Sequence, residues 1–167
     1  RGRCVKFTPT AIGGVVIVDL EPVVDERGFF SRLHCPEAFA AAGYSFVPQQ
    51  TSLSRNEKAL TLRGLHYEAA PHEEAKLVRV TRGRMFDVAV DLRRDSPTFL
   101  MWTGVELSAE SGRALLIGEG MAHGFITLED HTDVVYQINR IFEAGHGRGA
   151  RWNDPAFKID WPAVPAV

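Results

Sequence analysis

The stretch Met85-Phe86-Asp87-Val88-Ala89-Val90-Asp91-Leu92 decides the fold class. Along it Phe86, Val88, Val90 and Leu92 fall on one face, and Asp87, Ala89 and Asp91 fall on the other. A period of two belongs to a β-strand; a helix repeats its apolar positions every three or four residues. The two carboxylates leave two readings of the second face: it meets solvent, or it lines a polar lumen.

The same logic extends outward. Lys76-Leu77-Val78-Arg79-Val80 reads as the preceding strand, joined through Thr81-Arg82-Gly83-Arg84, which looks like a hairpin turn. Residues 101–107, 114–117, 124–128 and 133–142 follow as further strands, the first entered through Ser96-Pro97. Towards the N-terminus, Val15-Val16-Ile17-Val18-Asp19-Leu20 is β-branched and ends at Glu21-Pro22. Residues 36–42 predict one helix, with Pro36 and Glu37 in its first turn and Gly43 just past its end. Short strands at this spacing, without alternating helices, predict an all-β sandwich or barrel.

Composition narrows the function classes. The chain has 167 residues, 45% apolar, enough for a core without staples, and prolines and glycines gather into no linker. One domain over residues 1–167 is expected. Nineteen Lys and Arg against 21 Asp and Glu exclude a broadly basic nucleic-acid binder. Cys4 and Cys35 cannot build a disulfide framework or a four-cysteine zinc site, and are expected as reduced thiols in a cytoplasmic protein. No apolar run reaches the ~20 residues of a membrane helix, and Arg1-Gly2-Arg3 opens no signal peptide. Phosphate-loop, dinucleotide and nucleophile-elbow motifs are absent.

Two segments carry candidate chemistry. Leu62-Arg63-Gly64-Leu65-His66-Tyr67 places a cation and a titratable ring three apart, so on a regular strand they would face opposite ways. Only a break at Gly64 would let Arg63 and His66 converge. Met121-Ala122-His123-Gly124-Phe125 again sets a histidine beside a glycine, where backbone can approach a ligand. His72, His131 and His146 stand in turn-like contexts and read as surface residues. His66, Glu68 and His123 lack the paired-histidine spacing of metal-binding cupin barrels, so no metal is expected.

At these residues the chain closely resembles the dTDP-4-dehydrorhamnose 3,5-epimerase family of cupin-type jelly-roll homodimers. The matching stretches include Asp25-Glu26-Arg27-Gly28-Phe29-Phe30, Leu62-Arg63-Gly64-Leu65-His66-Tyr67 and Ala75-Lys76-Leu77-Val78-Arg79. Residues 86–93 and 95–99, Gly120-Met121-Ala122-His123-Gly124-Phe125, Val135-Tyr136, Arg151-Trp152-Asn153-Asp154-Pro155 and Trp161-Pro162 continue them in family order. The resemblance implies a cofactor-free epimerase of dTDP-rhamnose biosynthesis, feeding lipopolysaccharide O-antigen. Its substrate would be a nucleotide-linked 4-keto-6-deoxy sugar inverted at C3 and C5; neither nucleic acid nor membrane is expected as a partner. His66 matches the family's base, Lys76 the cation beside the developing enolate oxygen, and Tyr136 the acid on the opposite face. Asp87 and His123 match a supporting polar pair. Arg27 and Arg63 match phosphate-contacting positions, and Gln50 a base- or sugar-contacting one. Phe142 stands for a tyrosine that stacks on thymine.

The chain also departs from the pattern. The family's base is oriented by an Asp in a segment after the Trp-Pro; that residue is either absent or follows Val167, and the lack of an initiator Met favours the second. Arg32, Gly118, Gly147 and His72-Glu73-Glu74-Ala75-Lys76 suggest a divergent branch. That leaves open a dTDP, CDP or GDP substrate, and a single-carbon epimerase or 3,4-ketoisomerase. A non-catalytic sugar-nucleotide binding module and a metal-dependent cupin oxygenase are the other readings.

Overall fold

The computed structural model describes residues 5–166; Cys4 and Val167 lie outside them. In chain order the elements are β1 (Val5–Pro9), β2 (Val15–Leu20), β3 (Val23–Asp25), β4 (Gly28–Phe30), α1 (Pro36–Ala41), β5 (Gln50–Asn56) and β6 (Leu62–Glu68). They continue with β7 (Lys76–Arg82), β8 (Arg84–Asp91), β9 (Trp102–Ser108), β10 (Ala114–Ile117), β11 (Met121–Thr127), β12 (Thr132–Ile138) and β13 (Gly147–Gly149). One sheet runs β1-β2-β10-β7-β12-β5, a second runs β13-β6-β11-β8-β9, and β3 and β4 form a separate ribbon. Every pairing is antiparallel, as a jelly roll requires.

The strand that decides the fold class is buried on both faces. Val88 and Val90, with Phe86, pack outward beneath Phe157 and Trp161, while Met85 and Ala89 point into the core between the sheets. Asp87 and Asp91, on the same side as Ala89, are fully buried. The carboxylate face is therefore the inward one. Asp91 accepts hydrogen bonds from Arg93, Ser96 and Thr98. Burial works against its charged form, but these donors outweigh it and hold the carboxyl below the usual range.

The expected hairpin at residues 81–84 is not one. β7 pairs with β10 and β12, whereas β8 pairs with β9 and β11, so the turn carries the chain from one sheet to the other. Gly83 makes this possible: its φ is +76°, and an added Cβ would lie 2.5 Å from the Thr132 hydroxyl oxygen. A tight glycine turn leaves the same mark in sequence whether it folds a strand back or turns it across the sandwich.

The last strand is also shorter than residues 133–142. β12 stops at Ile138, after which Asn139 is held by the Ala75 backbone: its side-chain oxygen accepts the Ala75 N–H at 2.8 Å. Residues 140–146 leave the sheet, so Phe142 sits on a loop. The helix forms where expected, and its Phe39 is fully buried against the outer face of the six-stranded sheet. That burial contributes about 2–3 kcal/mol.

Candidate active site

Apolar side chains fill part of the space between the sheets, and a cavity of about 790 Å³ occupies the rest. Phe125 and Tyr136 belong to both, packing on the core and lining the cavity. Around them the wall carries Gln50, Arg63, His66, Lys76, His123 and Phe142. His66 and His123 come from β6 and β11 of the five-stranded sheet; Lys76 and Tyr136 come from β7 and β12 of the other. Base and acid candidates thus project from opposite walls.

The local break that the sequence demanded is present. His123 pairs with His66 but Phe125 pairs with Arg63, so three steps on β6 match two on β11. This β-bulge turns Arg63 and His66 to one side. It depends on Gly64, whose φ is +123° and whose Cβ would lie 2.5 Å from the Gly124 Cα. Backbone strain and overpacking together predict that Gly64→Ala costs about 3 kcal/mol or more. At this chain length that lowers Tm by roughly 10 °C in a thermal scan; an unchanged Tm would contradict the bulge.

Each polar group has a fixed neighbour. The His123 Nε2 lies 2.6 Å from the Oδ1 of Asp87, which is buried behind the cavity wall. The Lys76 ammonium lies 3.0 Å from the Glu74 carboxylate, both nearly buried. The Arg63 Nε donates to the Asn56 Oδ1 at 2.7 Å, and buried Asn56 is itself anchored on the Thr132 carbonyl. The Gln50 side-chain oxygen accepts the Phe142 N–H at 2.6 Å and so holds the loop at the cavity mouth. Glu74 and Asn56 were not singled out from the sequence. Asn56 had a legible signal, because Gln50, Ser52, Ser54 and Asn56 recur with period two.

His66 opens to the cavity, yet partial burial of its ring, then the charges of Lys76, His123 and Arg63, push its pKa below the ordinary 6.5. A base must be unprotonated to accept a proton, so lowering its pKa extends activity toward acid. The acid limb of kcat/KM should have its midpoint below pH 6.5. A midpoint at or above that value would contradict the electrostatics.

Two expected residues do not line the cavity: Asp87, which reaches it only through His123, and Arg27. Arg27 lies at the tip of the β3–β4 ribbon, bound to Asp25, and lines no part of the cavity within its own chain. Elsewhere, His72 and His146 are not isolated surface residues: their rings stack at 3.5 Å beside Glu143.

Fold and site together define a cupin-type barrel with an open lumen and titratable side chains on both of its walls. A sequence model of dTDP-4-dehydrorhamnose 3,5-epimerase matches residues 9–167. The enzyme of that name from Shigella flexneri is 44% identical over 154 residues, covering 92% of this chain and 84% of its own. The crystal structure of the Bacillus anthracis enzyme with TDP and pyrophosphate bound superposes with a TM-score of 0.92 at 38% identity, over 96% of this chain and 91% of that one. The Legionella pneumophila enzyme, solved with dTDP-4-keto-L-rhamnose, gives a TM-score of 0.89 at 36% identity, over 95% and 84%. The chain belongs to the dTDP-4-dehydrorhamnose 3,5-epimerase family.

Proposed function

We propose that this chain inverts C3 and C5 of dTDP-4-dehydro-6-deoxyglucose, with His66 as base, Tyr136 as acid and Lys76 as the cation facing the C4 oxygen. The observation that carries this reading is the approach of His66 and Tyr136 from opposing sheets around one cavity. A C–H beside a ketone is removable only when a base meets it and the enolate is stabilised. In each half-reaction the imidazole takes the proton and the electron pair moves onto the C4 oxygen against Lys76. The Tyr136 hydroxyl then returns a proton to the other face, and solvent resets both groups. Asp87 steadies His123 in the wall beside them. Arg63 would take the diphosphate, Gln50 the base or sugar, and Phe142 would stack on the base.

The reading includes a homodimer. Val23, Val24, Phe29 and Phe30 are each about 70% exposed on a ribbon that joins neither main sheet. A lone two-stranded ribbon is marginal in water. β5 is an open sheet edge with Leu53 exposed. A second copy would cover these residues and carry Arg27 to the diphosphate. Light scattering should give twice the chain mass, and Phe29→Asp with Phe30→Asp should give the monomer; a monomeric parent chain would contradict the dimer. The reaction would take place in the cytoplasm, where the free Cys35 thiol stays reduced. None of the helices described is long and apolar enough to cross a membrane.

Product NMR tests the function. The expected product is inverted at both carbons. Inversion at one carbon, or a carbonyl moved to C3, would assign the single-carbon epimerase or the ketoisomerase instead.

A further inference from the structure

A smaller cavity of about 240 Å³ adjoins the mouth of the main one, sharing Glu68, Glu74 and Phe142 with it. His72, Glu143 and His146 line it, each offering one ligand atom, all within 4.8 Å of one another. The Glu143 Oε2 lies 3.5 Å from the His72 Nδ1 and 3.7 Å from the His146 Nε2. Those separations are long for hydrogen bonds. They are close to the roughly 3.3 Å between neighbouring ligands at the corners of a tetrahedral zinc site with bonds of about 2.0–2.1 Å.

The residues are brought together by backbone on both sides. The His72 N–H donates to the Ala69 carbonyl at 2.9 Å, and the Ala69 N–H reaches the His146 carbonyl at 3.4 Å. Gly147 pairs with Glu68 where β13 meets β6, and the Arg140 guanidinium donates to the Pro71 carbonyl at 3.1 Å. Three carboxylates and one guanidinium face the cavity; with Glu74 paired to Lys76, Glu68 and Glu143 stand against Arg140, a balance that still favours a cation. The imidazoles are stacked at an interplanar angle of 18°. One nitrogen of each ring already faces the same Glu143 carboxylate, and binding an ion would turn the rings out of the stack to aim at a common point.

We propose that His72, Glu143 and His146 form a binding site for a divalent transition-metal ion of the zinc class, which ties residues 139–146 to the end of β6. Two borderline imidazole nitrogens with one hard carboxylate make a mixed nitrogen and oxygen donor set, suited to zinc rather than to calcium or magnesium, which take oxygen ligands. A water would complete the tetrahedron. The ion would sit beside Phe142 and fix the loop that presents it. Metal binding stands independently of the epimerase reading; the consequence for substrate rests on it.

The test uses the full chain, stripped with a chelator and then titrated with zinc chloride by calorimetry. One zinc per chain is expected, with a rise in Tm, and cobalt(II) should give the absorption of a tetrahedral site. His72→Ala and Glu143→Gln should each weaken zinc binding by more than the roughly 10–100-fold that loss of an outer-sphere partner costs, whereas His66→Ala should retain it, which excludes a site in the main cavity. No stoichiometric zinc uptake, or undiminished uptake by His72→Ala, would overturn the proposal. With the epimerase reaction as a second readout, zinc should lower KM in the parent chain and leave it unchanged in His72→Ala. An absent reaction with zinc still bound would fault only the functional reading.

Discussion

His66→Ala is expected to lower kcat/KM for epimerisation by roughly 10³-fold or more, with the fold intact. In the proposed reaction the ring supplies what the cavity otherwise lacks on that wall: a neutral base. Burial and the neighbouring charges of Lys76, His123 and Arg63 keep it unprotonated near neutral pH. His123 cannot substitute, because its Nε2 is committed to Asp87 at 2.6 Å. His66 lies at the open end of a bulge and is not a core residue, so truncation should leave Tm almost unchanged. Near-normal activity in His66→Ala would remove the base from this account.

Tyr136→Phe is expected to separate two events that the parent chain performs together. With His66 as the base, proton removal should persist, read as uptake of solvent deuterium at the substrate carbons. Inversion needs a proton from the opposite wall and should fall by roughly 10²–10³-fold. The substitution removes only the hydroxyl; the ring still packs on the core beside Val78, its cross-strand neighbour on β7. Equal loss of exchange and inversion would show that Tyr136 is not the acid.

The sequence made some of this architecture plain and hid the rest for physical reasons. β8 and β2 were legible because alternation or β-branching is written locally. The need for a break at Gly64 was legible because two candidate site residues, Arg63 and His66, stood an odd number of residues apart. β5 was missed because it is a polar edge strand, with Gln50, Ser52 and Ser54 facing a cavity instead of a core. The direction of the turn at Gly83 was missed because partner choice is decided by distant strands. The same holds for Glu74 beside Lys76 and for the stacked His72 and His146, whose meeting depends on β13 closing onto β6. Arg27 shows the opposite limit: its motif is clear, yet its own chain does not carry it to the cavity.

The most direct test of the central claim is an NMR measurement of the parent chain with dTDP-4-dehydro-6-deoxyglucose in deuterium oxide. A base and an acid on opposing walls predict deuterium at both C3 and C5 of the product, with both centres inverted. No deuterium at either carbon, with this or any other nucleotide-linked 4-keto sugar, would contradict it.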